Sequence, residues 1–148
     1  MADVFTKAKR SAVMACIRSS GNKSTEIALA RLLRSAGITG WRRHRHVIGK
    51  PDFVFRKQRV AVFVDGCFWH GCPEHGARPK TNASFWRRKI ARNRARDREV
   101  NRLLRAKEWR VFRIWEHELA PKNKKHLAAR MLRRLVRLNQ THEFIANL

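Results

Sequence analysis

Acidic residues are scarce in this sequence. It contains 11 aspartates and glutamates against 35 lysines and arginines, which gives a formal net charge of +24. A basic excess of this size on a small chain favours a polyanionic partner, most commonly nucleic acid. Charge alone does not separate an enzyme that acts on nucleic acid from a ribosomal or chromatin-like binder without catalytic activity. The motifs have to decide between these two classes.

Long apolar runs and internal repeats are missing as well. No run of 18 apolar residues occurs, so no transmembrane span is expected, and residues 1–13 lack the apolar core of a signal peptide. We therefore expect a cytoplasmic, nucleoid-associated protein without a membrane partner. A length of 148 residues with 43% hydrophobic content suits one domain, residues 1–148, with one core. No self-complementary apolar helix stands out, so a monomer is expected.

Only three cysteines are present, which argues against a disulfide framework and towards metal binding or simple burial. Cys16 stands alone and is expected to be a small buried residue. Cys67 and Cys72 lie close together, His75 follows, and His117 comes at the end of the last predicted strand. Thiolates and imidazoles suit a closed, tetrahedral structural zinc site, in which His75 is inferred as the fourth ligand. The same residues also allow two buried cysteines with surface histidines.

Hydrophobic periodicity predicts an α/β domain with a small mixed β-sheet flanked by helices. The order is two helices, three strands, a long helix, a strand and a last helix. The predicted segments are 4–19, 24–36, 41–47, 51–55, 59–64, 83–106, 109–115 and 122–139. Residues 1–20 form an N-terminal helix or arm, and residues 121–148 form the C-terminal helix and tail.

The long predicted helix, 83–106, has one mostly apolar stripe that is interrupted by Asn93 and Asp97. Buried polar groups need partners, so these two residues either bond to the core backbone or line a site. The other faces carry a dense set of cations that suits phosphate contacts. These cations are Arg87, Arg88, Lys89, Arg92, Arg94, Arg96, Arg98, Arg102 and Arg105.

The stretch 51–75 holds the residues best suited to chemistry. Asp52 begins one predicted strand and Asp65 ends the next, and a hairpin with a carboxylate on each strand can hold a divalent metal. Cleavage of a phosphodiester needs such a metal and a base that activates water. Asp52 is therefore the candidate Mg²⁺ ligand, and His70 is the candidate base because its pKa class suits proton transfer near neutrality. His70 could instead be a zinc ligand, since it lies between the two cysteines.

These motifs resemble the very short patch repair (Vsr) endonucleases, a branch of the PD-(D/E)xK, restriction-endonuclease-like nucleases. The resemblance covers roughly residues 1 to 120. It is carried by Pro51-Asp52-Phe53, Gly66-Cys67-Phe68-Trp69-His70, Thr81-Asn82 with Phe85-Trp86, Asn93 with Arg98, Trp109-Arg110-Val111 and Trp115-Glu116. Arg10-Ser11 with Met14 and Ile17, followed by Glu26, fits as well.

The resemblance implies roles for several residues. Glu26, which could otherwise be a simple charge at a helix N-terminus, becomes an outer-shell carboxylate facing the metal. The backbone carbonyl of Val64 becomes a second Mg²⁺ ligand, and His117 becomes the last zinc ligand. The N-terminal arm would embrace the duplex, with Met14 touching it. The remaining expected DNA contacts are Phe68, Trp69, Trp86, Arg87, Arg88 and Asn93. The three aromatic residues would wedge into the base stack, although packing in the core is the alternative.

The sequence departs from the family pattern at two places. Asp65 stands where the family has a histidine, so either one general-acid or phosphate contact is lost or Mg²⁺ gains a second carboxylate. The second cysteine is shifted, and the final zinc ligand is a histidine where the family has a cysteine. The zinc itself would supply folding energy and no chemistry, because no coordination position stays open.

We therefore predict a Mg²⁺-dependent, strand-specific DNA endonuclease that nicks beside the T of a T:G mismatch. Such mismatches arise when 5-methylcytosine is deaminated, and other mismatch-repair proteins are possible partners. One alternative is a nuclease of the same fold with relaxed specificity. Another is a zinc-stabilised DNA-binding domain without enzymatic activity.

Overall fold

The computed structural model describes Thr6, Ala8 and residues 25–43, 45–76 and 78–146, with side chains up to residue 138. The predicted N-terminal arm, with Met14 and Cys16, lies outside the described residues, as does His44. Among the described helices, none is both long and apolar enough to cross a membrane.

Three helices and four strands follow one another in the predicted order. Helix α1 spans Glu26–Ser35, and strands β1, β2 and β3 span Trp41–Arg43, Phe53–Phe55 and Val60–Asp65. Helix α2 spans Ala83–Ala106, strand β4 spans Arg110–Trp115, a short 3-10 helix spans Glu116–Leu119, and helix α3 spans Lys124–Ala146. The predicted α/β architecture with a mixed sheet is therefore confirmed for this part of the chain.

The four strands form one sheet in the order β1-β2-β3-β4. Strands β1, β2 and β3 are successive antiparallel neighbours, whereas β4 pairs parallel with β3. A parallel neighbour needs a crossover connection, and α2 supplies it. The parallel register joins Val60 to Arg110 and Asp65 to Trp115, so β3 and β4 end side by side.

Each face of the sheet is covered by different helices because side chains alternate along a strand. Val60 and Val62 point into the main core, which α1 and α3 complete with residues such as Leu29 and Leu127. Ala61 and Phe63 point to the other face and pack against Leu104 of α2. Strand β3 is thus buried on both faces, which explains its continuous apolar run.

Helix α1 ends where the sequence predicts. Gly37 has a φ of +69°, the left-handed conformation that glycine adopts at little cost. The Ile38 N–H then donates to the Leu33 carbonyl at 2.9 Å, and the buried Ile38 side chain closes the end of the helix.

Strand β1 is shorter than predicted. The sequence predicts a strand over 41–47, but among the described residues of this range strand pairing is limited to Trp41–Arg43. β1 lies at the edge of the sheet, and its one neighbour, β2, offers only three partner residues. Residues 45–47 therefore lie outside the sheet, and the chain turns at Val47, whose carbonyl accepts from the Lys50 N–H at 2.9 Å.

Candidate active site and metal-binding cluster

Asp52 lies directly before β2 and reaches across to the end of β3. Its Oδ2 accepts a hydrogen bond from the Val64 N–H at 2.7 Å. Burial raises the pKa of Asp52 from 3.8 to about 6, and the neighbouring Glu26 and Asp65 charges add to the rise, while the Val64 hydrogen bond opposes it. The structure thus places Asp52 against the Val64 backbone through its N–H, whereas the predicted Mg²⁺ ligand is the Val64 carbonyl.

Glu26 enters the same space from the first turn of α1. It is only 3% exposed, and its Oε2 accepts from Arg43 Nη2 at 2.6 Å. A hydrogen bond between Glu26 and Asp52 also contributes to the raised Asp52 pKa. A buried carboxylate hydrogen-bonded to a half-buried one is stabilised by a shared proton or by a cation between them. Carboxylate oxygens are the ligands that hard divalent cations prefer, so the pair fits such an ion.

His70 is held by an aspartate of α2. Its Nδ1 lies 2.6 Å from Asp97 Oδ2, and 3.7 Å from Asp65 Oδ1. Burial raises the pKa of Asp97, but the His70 hydrogen bond and the His70 and Arg113 charges outweigh it, so the pKa is lowered. With Nδ1 bound to a carboxylate, Nε2 is the ring nitrogen available to take a proton. Asp97, the polar residue that the sequence predicts to need a partner, finds it here.

Arg113 of β4 is the functional candidate that the sequence analysis missed. Its Nη1 donates to both oxygens of Asp65 at 2.7 and 2.9 Å, and its Nη2 lies 3.4 Å from Asp97 Oδ1. Its Nε donates to Asn101 at 3.1 Å, and its guanidinium lies over the Phe63 ring. The one sequence feature that could have indicated Arg113 is its position inside the mostly apolar predicted strand 109–115. Asp65, 5% exposed, therefore faces an arginine rather than open space.

Cys67, Cys72 and His117 converge into a candidate metal-binding cluster. One ligand atom from each lies within 4.8 Å of the others. Nδ1 of His117 is 3.3 Å from Cys67 Sγ and 3.6 Å from Cys72 Sγ, and both thiols are free. Burial raises the pKa of the Cys67 thiol, and the neighbouring Cys72 adds to the rise. Two buried thiols and an imidazole nitrogen at this spacing fit zinc.

His75, the inferred fourth ligand, lies beside this cluster. Its ring centroid is 4.3 Å from that of His117, and its backbone N–H donates to Cys72 Sγ. Its side chain is 53% exposed and its Nδ1 faces Glu74 at 4.0 Å. His75 groups with Glu74 and His117 rather than with the two cysteines. His70 contacts Asp97 and Asp65 instead, so the geometry gives no support to His70 as a zinc ligand.

The loop between the cysteines carries the predicted aromatic wedge. Phe68, Trp69 and Trp86 form an edge-to-face cluster with centroids 5.1 to 5.8 Å apart, and all three are partly exposed. Phe85, at the start of α2, extends the cluster and is 51% exposed. Asn93, an expected DNA contact, donates its amide to the Trp69 carbonyl at 2.9 Å and so holds this loop against α2.

The basic side chains predicted to contact phosphate lie on the exposed faces of α2. Arg87 and Arg88 are exposed and directly follow Trp86 in α2. An α/β domain that surrounds carboxylates and a carboxylate-bound histidine with arginines is suited to cleaving a polyanion. The class that the fold and the site define is therefore a nuclease.

Comparison with known proteins agrees with this class. The family model described as DNA mismatch endonuclease Vsr matches residues 2–75. The type II nicking enzyme V.NmeAIP of Neisseria meningitidis serogroup A / serotype 4A is 39% identical over 139 residues, which are 93% of this chain and 96% of that relative. The DNA mismatch endonuclease Vsr of Escherichia coli (strain K12) is 37% identical over 125 residues, 84% and 80% of the two chains.

A more similar but shorter match is to the type II nicking enzyme V.NaeI of Lentzea aerocolonigenes. It is 58% identical over 69 residues, 47% of this chain, and the chain spans less than half, 42%, of that relative. The chain belongs to the Vsr family of DNA endonucleases.

Proposed function

We propose that this endonuclease nicks one strand of duplex DNA beside the T of a T:G mismatch, and that it requires Mg²⁺. The observation that carries the proposal is the hydrogen-bonded pair of the half-buried Asp52 and the buried Glu26, beside the end of β3, together with the His70–Asp97 pair. In this proposal Asp52 of the first pair would bind a divalent cation, with Glu26 behind it, and His70 of the second pair would act as the base. A relative that is 37% identical is named a DNA mismatch endonuclease.

Each residue of the site has a separate task in this proposal. Asp52 and the Val64 carbonyl would hold Mg²⁺, and Glu26 would support them from behind. The bound ion would neutralise the charge that develops on the phosphate. His70 Nε2 takes the proton of the attacking water, and Asp97 accepts the hydrogen bond from Nδ1 and so stabilises the imidazolium.

The aromatic cluster supplies a physical route to mismatch selectivity. Phe68, Trp69 and Trp86 are partly exposed, and none of them belongs to the buried core clusters. Inserting an aromatic wedge into a base stack costs a few kcal/mol, and a weakened T:G pair reduces that cost. The exposed Arg87 and Arg88 would hold the phosphates beside the wedge. A duplex substrate of this kind would place the protein at the nucleoid.

We also propose that the cluster of Cys67, Cys72 and His117 holds a structural zinc. A closed site needs four ligands, and His75 is the nearest imidazole, since its ring already stacks beside His117. A rotation of the His75 side chain away from Glu74 would complete the site. The zinc would fix the loop that presents the aromatic wedge.

The test is nicking of end-labelled duplexes, T:G-mismatched and fully paired, with and without Mg²⁺. A Mg²⁺-dependent nick on the T strand of the mismatched duplex alone is expected. Asp52→Ala should abolish nicking and leave duplex binding intact, because Asp52 would bind the metal and not the DNA. Equal nicking of both duplexes would refute mismatch specificity, and a fully active Asp52→Ala variant would refute the metal site.

A further inference from the structure

Arg113 connects the two aspartates that surround His70. Asp97 comes from α2 and Asp65 from the end of β3, and both carboxylates approach the same ring nitrogen, at 2.6 and 3.7 Å. Arg113, from β4, binds both oxygens of Asp65 and one oxygen of Asp97. One guanidinium therefore fixes how two carboxylates from different elements face a single imidazole.

The observed arrangement of the two carboxylates would be unfavourable without the Arg113 cation. Two mostly buried carboxylates repel each other when no positive charge lies between them. Either could then compete for His70 Nδ1, and the ring would have two orientations. The guanidinium is planar and its donors are fixed in direction, so it holds both carboxylates in one arrangement.

We propose that Arg113 is a positioning residue for His70: by holding Asp65 aside and Asp97 in place, it fixes the ring orientation and tautomer with which His70 acts as base. This inference rests on the proposed function of His70. It assigns Arg113 no contact with DNA, because each of its three guanidinium nitrogens has a protein partner, and its side chain is only 21% exposed.

The first experiment compares single-turnover nicking and DNA affinity in wild type, Arg113→Gln and Arg113→Met. The methionine keeps the apolar stem over Phe63, so it preserves packing if the glutamine does not. Arg134→Gln is the matched control, since Arg134 also stacks on a phenylalanine of the sheet, Phe112, at 4.8 Å, but on the opposite face. We expect the Arg113 variants to nick about 10- to 100-fold more slowly at unchanged DNA affinity, and the control to behave as wild type.

A double-mutant cycle tests whether Arg113 acts through Asp97. In an Asp97→Asn background, Arg113→Gln should cause little further loss, because the interaction that it supports is already gone. Full additivity of the two losses would overturn the inference. So would nicking by both Arg113 variants at the rate of the control, or a fall in DNA affinity that accounts for the whole loss.

A measurement that needs no cleavage separates this inference from the proposed function. The imidazole ¹⁵N resonances of His70, assigned with a His70→Gln variant, report which ring nitrogen carries the proton. Wild type and Arg134→Gln should show a single tautomer protonated at Nδ1, and Arg113→Gln should show a mixture. If wild type fails to nick, the proposed function is wrong, but the spectra still test the role of Arg113. Identical spectra in all three proteins would overturn the inference that Arg113 positions His70.

Discussion

Burial of Asp52 favours its protonated form, whereas binding of Mg²⁺ needs its ionised form. Its pKa is raised from 3.8 to about 6 in the folded protein, so between these values the native state holds a proton that the unfolded chain has lost. The stability that this proton provides is complete below about pH 4 and is lost as the pH rises through about 6. We therefore expect the Mg²⁺-free protein to lose on the order of 1–3 kcal/mol of unfolding free energy over this range.

Urea unfolding from pH 4 to pH 7.5, followed by tryptophan fluorescence, measures this loss. Asp52→Asn is the reference, because it keeps the shape of the side chain and removes its titration. The difference in unfolding free energy between the two proteins should shrink or reverse as the pH rises. Added Mg²⁺ should restore the stability of the wild type at pH 7.5 by binding the ionised Asp52 carboxylate. Parallel curves for the two proteins would show that Asp52 titrates normally.

Single residues also show what a sequence can and cannot predict about this site. Asp97 is predictable as a polar group that needs a partner, because it interrupts an apolar stripe. The identity of that partner is not predictable, since His70 lies 27 residues away and meets it only through the packing of the loop on α2. Arg113 was not predicted because its partners come from other elements, Asp65 from β3 and Asp97 from α2, and meet it only in the folded protein.

The candidate metal-binding cluster follows from the pairing of two elements. Strands β3 and β4 run parallel with Asp65 opposite Trp115, so the residues two positions beyond each end, Cys67 and His117, meet. The loop that begins at Cys67 then returns to the cluster through Cys72. Sequence spacing suggested these ligands, and only the parallel register explains why such distant residues come together. The register does not place Cys72 or His75, which both lie in the loop after β3.

Removal of the metal should therefore loosen the loop and the end of β4 together. A ligand present at 1,000 times its dissociation constant stabilises the folded state by about 4 kcal/mol, and we expect a loss of at least this order after chelation. Metal analysis and thermal unfolding before and after chelator treatment measure it, with about one zinc per chain expected at the start.

His117→Gln and His46→Gln are a matched pair for this measurement. His117 contacts both cysteine sulfurs, whereas His46 is exposed and outside the cluster. Only His117→Gln should lose zinc and melt at a lower temperature. A wild-type protein that contains no zinc, or a His46→Gln variant that loses it equally, would contradict the assignment of the cluster.

At the scale of the whole molecule, the sequence predicted the architecture well because long periodic elements dominate it. Helix α2 has the predicted bounds, and the order of elements from residue 25 onward is confirmed. The error in β1 lies where pairing partners, rather than local preference, decide the structure. Residues 45–47 have strand-like alternation, but β2 is too short to pair with them.

The net charge of +24 is a property of the whole molecule. The distribution of the lysines and arginines decides which part of the protein contacts the DNA phosphates. Each phosphate contact contributes about 0.9 to the slope of log affinity against log salt concentration. We expect Arg87→Gln/Arg88→Gln, on α2 beside the aromatic cluster, to reduce this slope by about 2. The reference is Arg133→Gln/Arg134→Gln, an adjacent exposed pair on α3, which packs on the opposite face of the sheet. Fluorescence anisotropy of a labelled duplex over a range of salt concentrations measures both slopes.

The two double variants have the same net charge, so any difference between them reports location and not total charge. A reduced slope for the α2 pair alone would place the duplex along α2, in reach of both the aromatic cluster and the His70–Asp97 pair. Equal reductions would mean that the phosphates respond to the overall field of the protein, because neither pair then makes a contact of its own. The orientation of DNA relative to the site would in that case have to come from the aromatic residues Phe68, Trp69 and Trp86 instead of the arginines.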